Sequence, residues 1–248
     1  MTGTTWLGVA LVGLLVGFMA GLFGKGGSAI ATPLLHALGI PAAMALAAPL
    51  PATIPSTLAA TAVYLRQRLV QRQTFLWSVA FGVPATILGA LLSGYVSADM
   101  LVRVTDVIIV GLGVRLLLRP SGSEASTEAR VYRVRLVAVA VFVGVCAGLL
   151  ANSGGFLLAP LYLAVLHSPL KSAFGTSLAV ASMLAVPGTL VHWALGHLDW
   201  SIVLVFAVTS IPGSYVGARA ALRSRSDVLE RAYGGALTLM GTAFLILR

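Results

Sequence analysis

The chain has 248 residues, 58% of them apolar and 9% charged. Soluble domains carry about 25% charged residues, so too little polar surface is present for a water-soluble domain, and most of the chain must face lipid. The single cysteine, Cys146, excludes an internal disulfide and a cysteine-rich metal site, and the net charge of +9 sits in loops between apolar runs, which argues against a nucleic-acid partner.

Several apolar runs reach the ~17–25 residues that a membrane helix needs. The first covers residues 6–23. The N-terminus lacks the basic region of a signal peptide, so this run reads as a retained helix. It breaks at Gly21-Leu-Phe-Gly-Lys-Gly-Gly-Ser28, where glycines permit positive φ and a sharp turn around one charge, Lys25. A short run, 28–38, follows; at ~1.5 Å per residue it cannot cross a bilayer. The run 42–65 carries Pro49, Pro51 and Pro55. These predict a kink or unwinding in its first half, with neighbouring helices or a water-filled cavity satisfying the freed carbonyls. Arg66, Arg68 and Arg72 form a basic loop. Residues 75–94 and 101–118 are further spans, and 119–135 is polar and linker-like.

The second half repeats this order. Residues 136–150 precede a second break, Gly148-Leu-Leu-Ala-Asn-Ser-Gly-Gly155, which reaches Pro160 at the spacing by which the first reaches Pro33. A short run, 155–166, and the spans 172–195, 201–222 and 228–247 follow. Pro169 answers Pro41, Pro212 answers Pro84, and Gly217 answers Gly89. The expected architecture is an all-α polytopic membrane protein of two inverted repeats. Each has a broken helical hairpin at its glycine motif and three long helices, eight to ten membrane segments in all. The expected division is a first repeat at 1–118, a cytoplasmic linker at 119–135 and a second repeat at 136–248.

Inversion follows from the basic residues. All Lys and Arg except Lys25, Arg103 and Arg248 fall in the Arg66–Arg72 loop, the 115–135 stretch, Lys171 and the 219–231 loop. Cytoplasmic loops collect Lys and Arg, so these four lie inside. The loop Gly196-His-Leu-Asp-Trp200 has neither and lies outside, although it is the repeat partner of the Arg66–Arg72 loop. Partner loops on opposite faces are the mark of inverted repeats, common in secondary transporters. Both termini then lie outside.

The candidate site is the pair of glycine breaks, facing each other near the midplane. Each short run begins just after its glycines, so its first N–H groups are unpaired at the positive end of the helix dipole, which suits an anion. Lys25, Gly26, Gly27 and Ser28 form one half; Asn152, Ser153, Gly154 and Gly155 form the other. Glycines can also serve only for close helix packing, but packing does not explain a lysine between glycines in an apolar setting. Asp99, Asp106 and Asp199 all fall near expected membrane faces, so none is placed to pair with Lys25. Thr176 and Ser177 either donate to a substrate or bond back to helix carbonyls. His192 either relays protons or binds the anion, or is a histidine at the outer interface. Asp199-Trp200 fits an interfacial anchor. Ser153 and His192 also permit an intramembrane serine hydrolase, which the paired breaks argue against; a non-transporting assembly protein is the other alternative. No nucleotide-binding GxxxxGK[ST] is present.

Gly24-Lys-Gly-Gly-Ser28 with Pro33, Ser153-Gly-Gly-Phe-Leu-Leu-Ala-Pro160, Pro169, Ala173-Phe-Gly-Thr-Ser-Leu178, His192 and Gly196-His-Leu-Asp-Trp200 together resemble the TauE/SafE sulfite exporter family. The resemblance covers both repeats and is specific in the second, where order and spacing agree together. It implies a prokaryotic inner-membrane transporter of small sulfur-containing anions, such as sulfite or an organosulfonate like sulfoacetate, with sites near the glycine motifs. Lipid and that anion are then the partners, with proton coupling open and no cofactor, metal or catalytic residue. The chain departs from the family pattern at Ala47-Ala-Pro-Leu50, which stands where the second repeat has Gly175-Thr-Ser-Leu178, and at Ala151-Asn-Ser153, where glycines are usual. With the interior negative, ~2.3 kcal/mol per charge per 100 mV favours anion exit.

Overall fold

The computed structural model describes residues 3–24, 28–92, 98–118, 129–150, 152–194, 196 and 198–246. Among them are eleven helices and no strand: α1 (Gly3–Phe23), α2 (Ser28–Ala37), α3 (Ala42–Ala47), α4 (Pro49–Arg66), α5 (Arg72–Leu92), α6 (Ala98–Leu118), α7 (Ala129–Leu149), α8 (Gly155–Ala164), α9 (Leu170–Ala194), α10 (Trp200–Arg223) and α11 (Ser226–Ile246). Six stretches are long and apolar enough to cross a membrane: α1, Met44–Arg66 across α3 and α4, α5, α7, α9 and α10. Helices are the only open-ended elements that satisfy every backbone group inside lipid.

Apolar side chains face outward as well as inward, and hydroxyls are found among the buried residues. Large apolar side chains such as Leu91, Leu118 and Leu239 stand exposed, whereas Ser78, Thr86, Ser182, Ser210 and Ser214 are buried. Lipid is as apolar as leucine, so helices associate through small residues and hydroxyls rather than through expulsion of water. Glycine seams carry the tightest packing. A Cβ added at Gly17 or Gly21 of α1 would strike the backbone of α10 at Ser210 and Ser214. One at Gly144 or Gly148 of α7 would strike α5 at Gly82 and Thr86. The contact also runs the other way: Gly217 of α10 sits on Phe18 of α1, and Gly89 of α5 sits on Val145 of α7. Thus the first helix after the N-terminus packs on a late one, and the helix before the second break packs on an early one, each through its glycines.

Within the first half of the run, where a kink or unwinding was expected, the helix is interrupted at Ala48, between α3 and α4. Pro49 has no N–H to continue the ladder and stands at the first position of α4, while Ala48 keeps helical angles (φ −59°, ψ −36°). The backbone therefore stays helical here rather than unwinding. Each of the short runs is a 10-residue helix, about 15 Å long and half of a ~30 Å bilayer core. Leu38, just past α2, lies over Gly8 near the start of α1, so α2 folds back along α1. Helix α7 begins at Ala129, within the stretch expected as linker. Charged residues are good helix formers and a helix satisfies its own backbone, so loss of apolarity marks where a span meets water, not where its helix ends. Tyr132 in this extra turn is hydrogen-bonded to Thr74 of α5 at 2.8 Å.

Candidate functional site

Just past the end of α1, Gly24 takes the left-handed region at φ 63°. Lys25, Gly26 and Gly27 fall outside the described residues, as does the side chain of Ser28, whose backbone opens α2. Helices α4 and α9 wall this break. Gly24 lies against Phe174 of α9 so closely that a Cβ would overlap the Phe174 Cα and Cβ. Ser177 Oγ lies 2.6 Å from the Gly24 carbonyl, to which it donates, and 2.9 Å from the Phe174 carbonyl. Tyr64 Oη, from α4, donates to the Gly21 carbonyl at 3.1 Å. The last carbonyls of a helix have no partner within it; here side chains from α4 and α9 supply donors for two of them. Ser177 therefore bonds both across to α1 and back within its own helix. Thr176 Oγ1 accepts the Gln71 backbone N–H at 3.0 Å, which ties the loop after α4 to α9.

Two residues absent from the sequence reading stand beside this break. Tyr233 of α11 stacks on Phe23 with ring centroids 5.5 Å apart and meets Phe174 edge-on at 5.0 Å. It is fully buried, and its hydroxyl has no hydrogen-bond partner among the described residues. Thr61, one turn before Tyr64 on α4, carries a second buried hydroxyl with no hydrogen-bond partner among the described residues. A buried hydroxyl left unpaired costs about 1–3 kcal/mol. The only trace of Tyr233 in the sequence is a tyrosine followed by two glycines in an apolar helix.

The second break is described except for residue 151. Asn152 is half-buried and donates its backbone N–H to the Ala147 carbonyl at 2.9 Å; Ser153 is fully buried. Gly154 takes φ 66° and lies against Val143, Ala147 and Leu184. Helix α8 then opens at Gly155 without a side-chain cap. Leu157 and Leu158 both turn their N–H groups to the Gly154 carbonyl, at 3.0 and 3.2 Å. The N–H groups of Gly155 and Phe156 find no acceptor among the described residues, and residues 155–160 are buried. A buried, uncapped helix N-terminus concentrates unsatisfied donors and the positive end of the dipole in low dielectric. An anion satisfies both.

Both breaks pack on α9, the first at Phe174 and Ser177 and the second at Leu184. At ~1.5 Å per residue these contacts lie about 10–15 Å apart along the helix. His192 is half-buried on the same helix, about 12 Å beyond Leu184 by the same rise. Asp199 caps α10, accepting the Ser201 and Ile202 N–H groups at 2.9 and 3.3 Å, and Trp200 meets Trp193 edge-on at 6.4 Å. Between α1, α4 and α10 a void of about 10 Å³ is lined by Gly17, Thr53, Ser56, Thr57 and Ser210, room for about one water. No group of three or more His, Cys, Asp or Glu side chains that could hold a metal ion occurs among the described residues.

The family model described as "Sulfite exporter TauE/SafE" matches residues 9–244. A "Probable membrane transporter protein" of Xylella fastidiosa (strain 9a5c) is 27% identical, the match covering 90% of this chain and 88% of the relative. YdhB of Bacillus subtilis (strain 168), with the same description, is 26% identical over 85% of this chain and 88% of its own. YfcA of Escherichia coli (strain K12), again so described, is 26% identical over 93% and 86%. No solved structure matches the chain significantly.

Proposed function

From the premise that this chain belongs to the sulfite exporter TauE/SafE family and is a multi-pass membrane transporter, not an enzyme, we propose that it carries small sulfur-containing oxyanions, sulfite or an organosulfonate, held at the two glycine breaks. The observation that carries this reading is the buried start of α8, where the Gly155 and Phe156 N–H groups have no acceptor among the described residues. Sulfite or a sulfonate offers three oxygens to such donors. Asn152 and Ser153 flank them in sequence. In the first break the Lys25 ammonium, Gly26, Gly27 and Ser28 play the equivalent part at the start of α2. Tyr233 and Thr61 add hydroxyls that a bound anion would satisfy. Ser177 and Thr176 hold the walls of the first break in place.

Alternating access then follows from an inverted pair of repeats, 1–118 and 136–248, joined by the basic 119–135 segment. The reciprocal glycine seams, α1 on α10 and α7 on α5, support this pairing, since each half lends its first helix to the other. The six long apolar stretches with α6 and α11 make eight spans; α2 and α8 add two half-spans. The basic loops lie in the cytoplasm and both termini outside the inner membrane. Anion exit runs with the membrane potential, worth ~2.3 kcal/mol per charge per 100 mV, and proton relay or anion binding is assigned to His192. The test is flux through purified protein in vesicles, with sulfite, sulfoacetate, taurine, thiosulfate and sulfate compared at a set potential. Saturable flux of sulfite or sulfoacetate well above that of sulfate is expected. Equal leak of all five would end the reading.

A further inference from the structure

The ends of α4, α9 and α10 enclose a second feature that transport at the glycine breaks does not use. A cavity of about 660 Å³ is walled by Arg66, Gln67, Lys171, Tyr215, Arg219 and Arg223 together with apolar side chains, and no acidic residue lines it. Three of the four basic segments of the sequence thus converge on one space. Two of the cations are held. Lys171 Nζ donates to the Leu222 and Ser224 carbonyls, each at 2.9 Å, at the C-terminal end of α10, and keeps one N–H to spare. The Arg219 guanidinium sits over the Tyr215 ring, 4.5 Å from its centroid. Arg66 and Arg223 are exposed, and neither makes a hydrogen bond or ion pair to a described residue. Among the described residues a salt bridge joins Arg225 to Asp227, outside the lining.

We propose that this cavity is a distinct binding site for an oxyanion group of the phosphate type. Gathering four cations without a counter-charge is unfavourable, and a single anion among them relieves it. Guanidinium forks match the oxygens of such a group two at a time. The volume exceeds that of a bare ion and suits a headgroup. Leu65 and Val216, neighbours in sequence of Arg66 and Tyr215, are more than half exposed, which gives acyl chains a surface beside the cavity. The shared chemistry is therefore a phosphate group, from an anionic phospholipid or from free phosphate, and its binding is independent of what the protein carries.

Thermal unfolding of the purified chain in detergent separates these sources. One arm titrates phosphatidylglycerol against phosphatidylcholine; the other titrates inorganic phosphate against chloride at equal ionic strength. Saturable stabilisation is expected in at least one arm. The arm that responds identifies the source. Arg66→Gln with Arg223→Gln should weaken that response about tenfold or more, and Arg223→Gln alone should weaken it less. Arg231→Gln, exposed and outside the cavity, and Lys25→Ala should leave it unchanged, so failure at the glycine breaks does not touch this result. Phosphatidylglycerol and phosphate acting no better than their controls, or the double variant responding as the wild type does, overturns the proposal.

Discussion

Replacing Tyr233 by Phe should move stability and anion binding in opposite directions. The ring is fully buried between Phe23 and Phe174, and phenylalanine keeps both contacts. What is lost is one buried hydroxyl that has no partner among the described residues. Leaving such a group unsatisfied costs about 1–3 kcal/mol, so its removal should stabilise the empty protein by at least about 1 kcal/mol. For a chain of this size that is a rise of about 2–4 °C in the unfolding midpoint. If the hydroxyl donates to an anion at the first break, the same change should weaken binding by about 1.5–3 kcal/mol, the range for a hydrogen bond to a charged group. The assay is thermal unfolding of purified wild type and variant over a sulfite titration. A variant that unfolds several degrees lower without anion would show that the hydroxyl has a partner in the fold. An unchanged sulfite response would remove Tyr233 from the site.

Ser177→Ala should destabilise the protein by about 1 kcal/mol, the net worth of a hydrogen bond, because the Gly24 carbonyl loses its donor; chemical denaturation of both forms measures this. Gly154→Ala should cost about 1–2 kcal/mol for the left-handed backbone alone, with the new Cβ also 2.9 Å from Val143 Cγ1, and the same unfolding assay reads it. A cysteine at Ser121 should react only with reagents that reach the cytoplasm and one at Gly196 only with external ones; reaction of both from one side would end the inverted-repeat reading.

Much of this architecture can be read from the chain because lipid enforces simple rules. Apolar runs become helices, six stretches of which are long and apolar enough to cross a membrane, and the short runs expected at 28–38 and 155–166 appear as α2 (Ser28–Ala37) and α8 (Gly155–Ala164). The early start of α7 was hidden, because a polar helical turn and a polar linker have the same composition. Side-chain partners were hidden for a different reason. A hydroxyl on an apolar helix shows that a bond is needed, not with whom, so the Ser177 bond to Gly24 emerges only when α9 lies across the end of α1. The Tyr233 hydroxyl stands out only once α11 packs its ring against Phe23 and Phe174, where no described residue pairs with it, a property of the packed cluster rather than of the local sequence. The basic residues gave a signal for orientation. That four of them share one cavity depends on where three helices end.

The most direct test of the central claim is sulfite-induced thermal stabilisation of wild type against Lys25→Ala. A lysine between apolar segments is costly without a counter-charge, and a bound anion supplies one. The variant should therefore fold as well as the wild type in the absence of anion and bind sulfite more weakly by about 1.5–3 kcal/mol, with Lys25→Arg also impaired because the planar fork must fit a glycine-lined turn. Sulfite stabilising Lys25→Ala as strongly as the wild type would contradict the account and leave the first glycine break as a packing device.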